Sequence, residues 1–335
     1  MKYEALLLVS FGGPESKEEV MPFLRNVVRG KQVPEERLLA VAEHYYHVGG
    51  RSPINQQNRQ LIAALEAELA RNGLKLPIYW GNRNWHPLLP DTVRKMKEDG
   101  VGRALAFVTS AYSSYSGCRQ YLENIAAAQA AVGAGAPVID KLRVFYDHPG
   151  FIAAMTDRVR EALQKLPTAL RAHAQVVYTA HSIPVSMAQN SRYVQQLHVT
   201  RDLISAGLGR SGDPLVFQSR SGPPSQPWLE PDVLDYIRGV KEKNLAPAIV
   251  IAPIGFISDH VEILYDLDIE AKLLCEELQL PMARAGTVGT HPKFISMIRE
   301  LIVERMESPD SSSIGLSGTT SDFCSADCCP APQRS

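Results

Sequence analysis

The stretch Val176-Val177-Tyr178-Thr179-Ala180-His181-Ser182-Ile183-Pro184 constrains this chain more than any other. Its first three residues are β-branched or aromatic with no polar residue among them. They read as a strand buried on both faces in a parallel sheet, which Pro184 prevents from continuing. His181 then stands just past the strand's carboxyl end. Open α/β sheets bind ligands at that edge, and an imidazole there takes or gives a proton near neutral pH. A histidine that only caps the strand with hydrogen bonds is the plainer account of the same position.

The plan recurs along the chain. Apolar runs over residues 6–9, 78–80, 104–108, about 142–145, 215–218 and 248–252 alternate with helical stretches at 35–47, 55–71, about 150–165 and 292–306. Such alternation specifies parallel sheets covered on both faces, and 335 residues suffice for two of them. The expected fold class is α/β, with two similar Rossmann-like domains, each a parallel four-stranded sheet flanked by helices, and a cleft between them. Near the start, Phe11-Gly12-Gly13-Pro14 breaks the first strand. Ser16 with Glu19 predicts a capping box, and Val20, Phe23, Leu24 and Val27 one apolar helical face that Gly30 ends.

A second stretch repeats the strand, break and polar group: Ala248-Ile249-Val250-Ile251-Ala252-Pro253-Ile254-Gly255-Phe256-Ile257-Ser258-Asp259-His260-Val261-Glu262. Glu262, Asp266 and Glu270 follow at intervals of four, which places three like charges on one helical face. Asp259 as the helix cap with Glu262 completing a capping box would account for one of them, and a solvated face for the other two.

Lys plus Arg number 35 against 36 Asp plus Glu, so the surface field offers no general attraction to nucleic acid or to an anionic membrane. The expected partner is a small molecule. No apolar run is long enough to cross a bilayer and Met1-Lys2-Tyr3-Glu4 leads straight into a strand, so a reducing cytoplasm is the expected location. In that compartment the five cysteines are ligands or inert core residues rather than disulfide partners. Residues 308–322, rich in Ser, Gly and Thr, read as a flexible linker to Cys324, Cys328 and Cys329. Three thiols make an incomplete tetrahedral site, with Cys118 and Cys275 the candidates for a fourth ligand and zinc or an iron–sulfur cluster the candidate occupants.

Thr179-Ala180-His181-Ser182-Ile183-Pro184, together with the stretch from Gly255 to Asp266, resembles the paired signature of the ferrochelatases, which insert ferrous iron into a porphyrin in haem biosynthesis. Ser10-Phe11-Gly12-Gly13-Pro14, Gly49-Gly50-Arg51-Ser52-Pro53-Ile54, Trp85-His86-Pro87, Phe217-Gln218-Ser219-Arg220 and Pro227-Trp228-Leu229-Glu230-Pro231 extend the resemblance from the first strand to the last helix. It implies a chelatase-like fold whose final helix packs back on the first half. The domains are then 1–145 plus 285–307, and 146–284, with 308–335 a linker and cysteine-bearing tail. It also implies that His181 and Glu262 face each other across the ring, handling ferrous iron and the pyrrole protons, with a neutral His181 as general base and Asp266 and Glu270 as a metal or proton path. Phe11, Arg29, Arg51, Ser52, Tyr112, Tyr115 and Tyr121 become porphyrin contacts. Rings and hydroxyls alternating through residues 109–117 suit a flat macrocycle with a charged rim.

Some ferrochelatases hold a 2Fe-2S cluster on one mid-chain cysteine and three near the C-terminus, an arrangement that Cys118 with Cys324, Cys328 and Cys329 resembles. The substrates implied are ferrous iron and either protoporphyrin IX or coproporphyrin III, in a monomer or homodimer. A porphyrin or haem carrier of the same fold, a chelatase for another metal or tetrapyrrole, and an electron-transfer protein built on the cysteine tail are the competing expectations.

Overall fold

In the strand Ala5–Ser10 every residue is buried, but alternate side chains enter different cores. Leu6 and Leu8 face one and Ala5, Leu7 and Val9 the other, which is what a strand's period of two requires of a sheet with helices on both faces. The computed structural model describes residues 2–222, 225–307, 313–315, 318–320 and 328–331.

The first half runs β1 (Ala5–Ser10), α1 (Val20–Val27), α2 (Glu35–His47), α3 (Ile54–Arg71), β2 (Ile78–Asn82), α4 (Leu89–Glu98), β3 (Arg103–Val108), α5 (Gln120–Val132) and β4 (Val138–Lys141). Its strands form a parallel sheet in the order β2-β1-β3-β4. The second half runs α6 (Pro149–Lys165), α7 (Thr168–Arg171), β5 (Gln175–His181), α8 (Val185–Gln189), α9 (Tyr193–Gly207), β6 (Leu215–Gln218), α10 (Val233–Glu242), β7 (Ile249–Ala252), α11 (Val261–Tyr265), α12 (Lys272–Glu277) and β8 (Met282–Arg284). Its sheet is also parallel, in the order β6-β5-β7-β8. The last long helix, α13 (Pro292–Glu307), packs on α3 and α6.

One continuous apolar core joins the halves. It contains Leu6, Leu8 and Phe107 of the first sheet, Val176, Tyr178 and Ala180 of the second, and Phe151, Phe294 and Ile298 from the helices between them. Because all eight strands of these two sheets are parallel within their own sheet, the carboxyl ends of each open on one edge, where loops carry the polar residues. Polar side chains pin the loops across the divide. Tyr112 donates to the Ile254 carbonyl at 2.9 Å. Gln57 exchanges two bonds with the Asp259 backbone at 2.8 and 2.9 Å, and Gln196 two with Ser113 at 2.7 and 2.9 Å.

Several expectations need correction. The strand expected near 142–145 lies earlier, at Val138–Lys141. The more apolar residues after it are buried by ring packing instead, Phe145 stacking on Phe107 at 5.3 Å. Strand β5 continues to His181, which pairs with Gln218. Ser16 caps no backbone group: the helix opens with a tight turn, and the Glu19 carboxylate accepts from the Glu15 N–H at 2.8 Å and the Trp85 indole at 2.9 Å. Within the expected linker, Ser313–Gly315 and Gly318–Thr320 pair as antiparallel strands, β9 and β10.

Candidate active site

His181 ends the second strand of its sheet, and Glu262 opens the helix after β7. The Asp259 cap expected for that helix is not made. His260 is the cap, its Nδ1 accepting from the Glu262 N–H at 3.3 Å, while Asp259 pairs with Arg284 at 3.1 Å. The Glu262 carboxylate is therefore free of the backbone. It lies 3.5 Å from His181 Nε2 through Oε1 and 3.8 Å from His260 Nδ1 through Oε2. On its other side, His181 Nδ1 contacts the Ser182 carbonyl, which fixes the ring so that Nε2 faces the carboxylate. The Tyr193 hydroxyl donates to the His181 carbonyl at 3.0 Å.

Electrostatics follow from this geometry. Burial disfavours an imidazolium, but the Glu262 charge outweighs it and lifts His181 to about 9. Burial would raise Glu262, and His181 reverses that, bringing it to about 2. At neutral pH the two are an imidazolium and a carboxylate sharing one proton, so the neutral His181 expected from sequence is not the form this pair favours. His260 is pushed down by burial against the Glu262 attraction, and remains the neutral imidazole of the three.

Asp266 behaves in the opposite way. Burial, aided by the like charges of Glu262 and Glu270, raises it to about 7 despite a bond from the Ser219 hydroxyl. Glu270 is raised by burial and by Asp232. Asp266 and Glu270, with His44, Gln218 and Ser219, line one cavity of about 180 Å³ at the carboxyl edge of β6. A π turn over Asp266–Ala271 carries the two acids, a distortion often found at functional sites. Gln218 ties the row together, donating to the Glu262 carbonyl at 3.1 Å and to Asp266 at 3.4 Å. Helix α2 of the first half reaches this rim, where His44 stacks on Tyr265 with ring centroids 3.8 Å apart.

The expected ring contacts all come from the first half. Phe11 is exposed beyond β1 and meets Phe23 edge-on at 6.2 Å. Arg29 and Arg51 are exposed. Ser52 is buried, its N–H bound to the Pro14 carbonyl at 2.8 Å, and its side chain fills the space where a Cβ on Gly13 would stand, 2.7 Å away. Tyr115 donates to Glu123 at 3.1 Å. Tyr112 and Tyr121 are buried; the first spends its hydroxyl on joining the halves, and the second lies under the guanidinium of Arg83, 5.1 Å from its ring centre.

Sequence reasoning gave no role to Arg83, His44, His260, Tyr193 or Gln218. Two of these, His260 and Gln218, sit inside the quoted motifs; the others come from helices or loops whose approach only the fold reveals.

Sequence comparison decides the family. A ferrochelatase family model matches residues 3–306. This chain belongs to the ferrochelatase family. It is 55% identical to a ferrochelatase of Rhodopirellula baltica, over 98% of this chain and 93% of that one. It is 48% identical to a coproporphyrin III ferrochelatase of Streptomyces coelicolor (98% and 94% covered) and 50% identical to one of Frankia alni (99% and 88%). Among solved structures, the fold is shared by a sirohydrochlorin chelatase SirB from Bacillus subtilis subspecies spizizenii with cobalt, at TM-score 0.57 and 11% identity, covering 92% of this chain and 97% of that one. CbiX aligns at TM-score 0.52 and 16% identity, covering 90% and 98%. The protein is accordingly a metal chelatase with two parallel sheets. Among the described residues, no three His, Cys, Asp or Glu side chains converge to hold a resident metal, and no helix is long and apolar enough to cross a membrane.

For the cysteines, Cys324 lies outside the described residues. Cys328 and Cys329 place their sulfurs 3.6 Å apart, near the roughly 3.8 Å separating two thiolates held tetrahedrally at about 2.3 Å from one metal. Burial and the nearby Cys118 raise the Cys329 thiol, against a bond from Cys328. Cys118 is buried in the π turn Tyr115–Arg119, whereas Cys275 belongs to the apolar core beneath α12 and is pushed up by burial to about 12. The described residues thus bring two thiols, Cys328 and Cys329, to a spacing that suits one soft metal, with Cys118 rather than Cys275 acting on them and no third donor converged.

Proposed function

We propose that this ferrochelatase inserts ferrous iron into coproporphyrin III, held in the cleft with its centre against the His181–Glu262 pair, whose 3.5 Å contact leaves no room for the ring between them and puts both on one face of it, not on opposite faces as the resemblance implied. The observation that carries the reading is the 3.5 Å approach of Nε2 to Oε1 between the last residue of β5 and the first turn of α11. It offers, at one point, an imidazole and a carboxylate, both of which ligate iron and accept protons. The relatives named for coproporphyrin III support the choice of ring.

Insertion removes two pyrrole protons and brings in one dication. With His181 as imidazolium, Glu262 is the open base of the pair. Ferrous iron bound by Glu262 would draw the carboxylate's charge away from His181, which passes its own proton to solvent by way of Asp266 and then takes the two pyrrole protons in turn, handing each on by the same path. Asp266, titrating at about 7, exchanges protons with solvent at working pH, and Glu270 extends that path outward. Arg29, Arg51, Ser52, Phe11, Tyr115 and Tyr121 belong to the first-half wall that receives the ring, with Tyr112 holding that wall to the second half. Rim binding also provides energy for bending the macrocycle toward its metallated shape.

The tail completes the reading. Cys118, Cys324, Cys328 and Cys329 would hold a 2Fe-2S cluster, which when bound supplies a redox-active crosslink between the tail and the turn carrying Tyr115. The expected setting is the cytoplasm. Comparing kcat/KM for iron insertion tests the ring: coproporphyrin III should exceed protoporphyrin IX by tenfold or more, and equal or reversed values would remove the assignment. Iron and sulfide analysis of protein purified without oxygen should give two of each per chain, both lost in Cys118→Ser; a colourless protein containing zinc would replace the cluster with a zinc site.

A further inference from the structure

Among the described residues, Arg83 is a cation without a counter-ion. It follows β2 at the carboxyl edge of the first sheet, its N–H bound to the Ser10 carbonyl at 3.0 Å. Its guanidinium lies over the Phe11 ring, 5.6 Å from the centre, and over the Tyr121 ring at 5.1 Å. It donates hydrogen bonds to the Ser116 carbonyl at 3.3 Å and to the Tyr121 hydroxyl, while Nε, buried from solvent, has no partner among the described residues. Three other sheltered arginines are matched by carboxylates: Arg143 by Glu304 at 2.8 Å, Arg284 by Asp268 at 2.6 Å and Arg210 by Asp213 at 3.1 Å. Among the described residues Arg83 has no such ion pair.

A half-buried charge in that condition is costly unless an anion completes it, and a guanidinium held flat by two rings presents its fork in a fixed direction. One of those rings is Phe11, an exposed residue of the wall proposed to receive the porphyrin. We infer that Arg83 binds a carboxylate on the porphyrin rim and so fixes the rotation of the ring over the His181–Glu262 pair. This rests on the proposed function, since it needs a porphyrin in that cleft. Phe11 and Tyr121 then orient the arginine as well as lining the wall, and Ser116 links its position to the loop that continues into Cys118.

The test measures porphyrin binding by fluorescence quenching, and iron insertion, for wild type, Arg83→Gln and Arg83→Lys. The Kd and KM for coproporphyrin III should rise at least tenfold in Arg83→Gln and recover in part in Arg83→Lys. The affinity loss should vanish for coproporphyrin tetramethyl ester in detergent, which carries no rim charge. Arg83→Gln binding coproporphyrin III as wild type does would overturn the inference. So would equal losses for the acid and the ester, which would make Arg83 a structural prop for the Ser116 loop. Wild type failing to bind any porphyrin would instead overturn the functional reading beneath it.

Discussion

Replacing Glu262 with Gln keeps its shape and removes the charge that holds the His181 proton. At the observed 3.5 Å separation, Coulomb attraction is about 1 kcal/mol in water and about 5 kcal/mol at an effective dielectric of 20. Glu262 keeps 45% of its side-chain exposure, so solvent screens the pair and a value between those limits applies. About 2.5 kcal/mol corresponds to roughly 2 pH units. His181 should therefore titrate near 7 or lower in Glu262→Gln, against about 9 in wild type. The assay is NMR titration of the histidine Cε1–H signals, assigned with His181→Gln. A midpoint in Glu262→Gln within half a pH unit of wild type would refute the reasoning.

The same pair predicts a pH window for stability. His181 is raised above its ordinary 6.5, so its contribution is complete below that value and disappears as pH rises through about 9. Glu262 is depressed from 4.5, so its contribution is complete above that value and disappears as pH falls through about 2. The Tm difference between wild type and Glu262→Gln should thus be greatest between about pH 4.5 and 6.5 and shrink above pH 9. Asp266 reverses the sign: a carboxyl raised from 3.8 to about 7 destabilises when ionised, so Asp266→Asn should raise Tm more at pH 8 than at pH 5, by thermal melts at both. Gly13→Ala should cost about 1–3 kcal/mol in urea unfolding and weaken porphyrin binding, because the new methyl would stand 2.7 Å from Ser52 Cβ and 2.8 Å from Ile54 Cγ2. Tyr112→Phe should cost about 1–2 kcal/mol by leaving the buried Ile254 carbonyl without its 2.9 Å donor.

The layered plan was legible because a parallel strand buried on both faces writes an unbroken apolar run, as residues 176–178 and 248–252 do. Two of the four edge strands of the parallel sheets, β4 and β8, are harder to read. Residues 138–141 carry Asp140 and Lys141, and Met282–Arg284 is three residues long, so neither shows an apolar run. Side-chain caps were misread at both helix starts because several nearby polar groups can serve, and tertiary partners decide between them: Arg284 removes Asp259, and Trp85 engages Glu19. His181 and Glu262 were found through motifs, yet their charge state was not, since it depends on a separation no spacing encodes. Arg83 left no trace in sequence because its significance is a missing partner, and that shows only once every neighbour is placed.

The most direct test of the central claim is anaerobic iron insertion by His181→Ala alongside its affinity for coproporphyrin III. The ring should bind within a few-fold of wild type while insertion falls by a thousandfold or more. Insertion within tenfold of wild type would mean that the imidazole and carboxylate facing each other in the cleft are not where iron enters the ring.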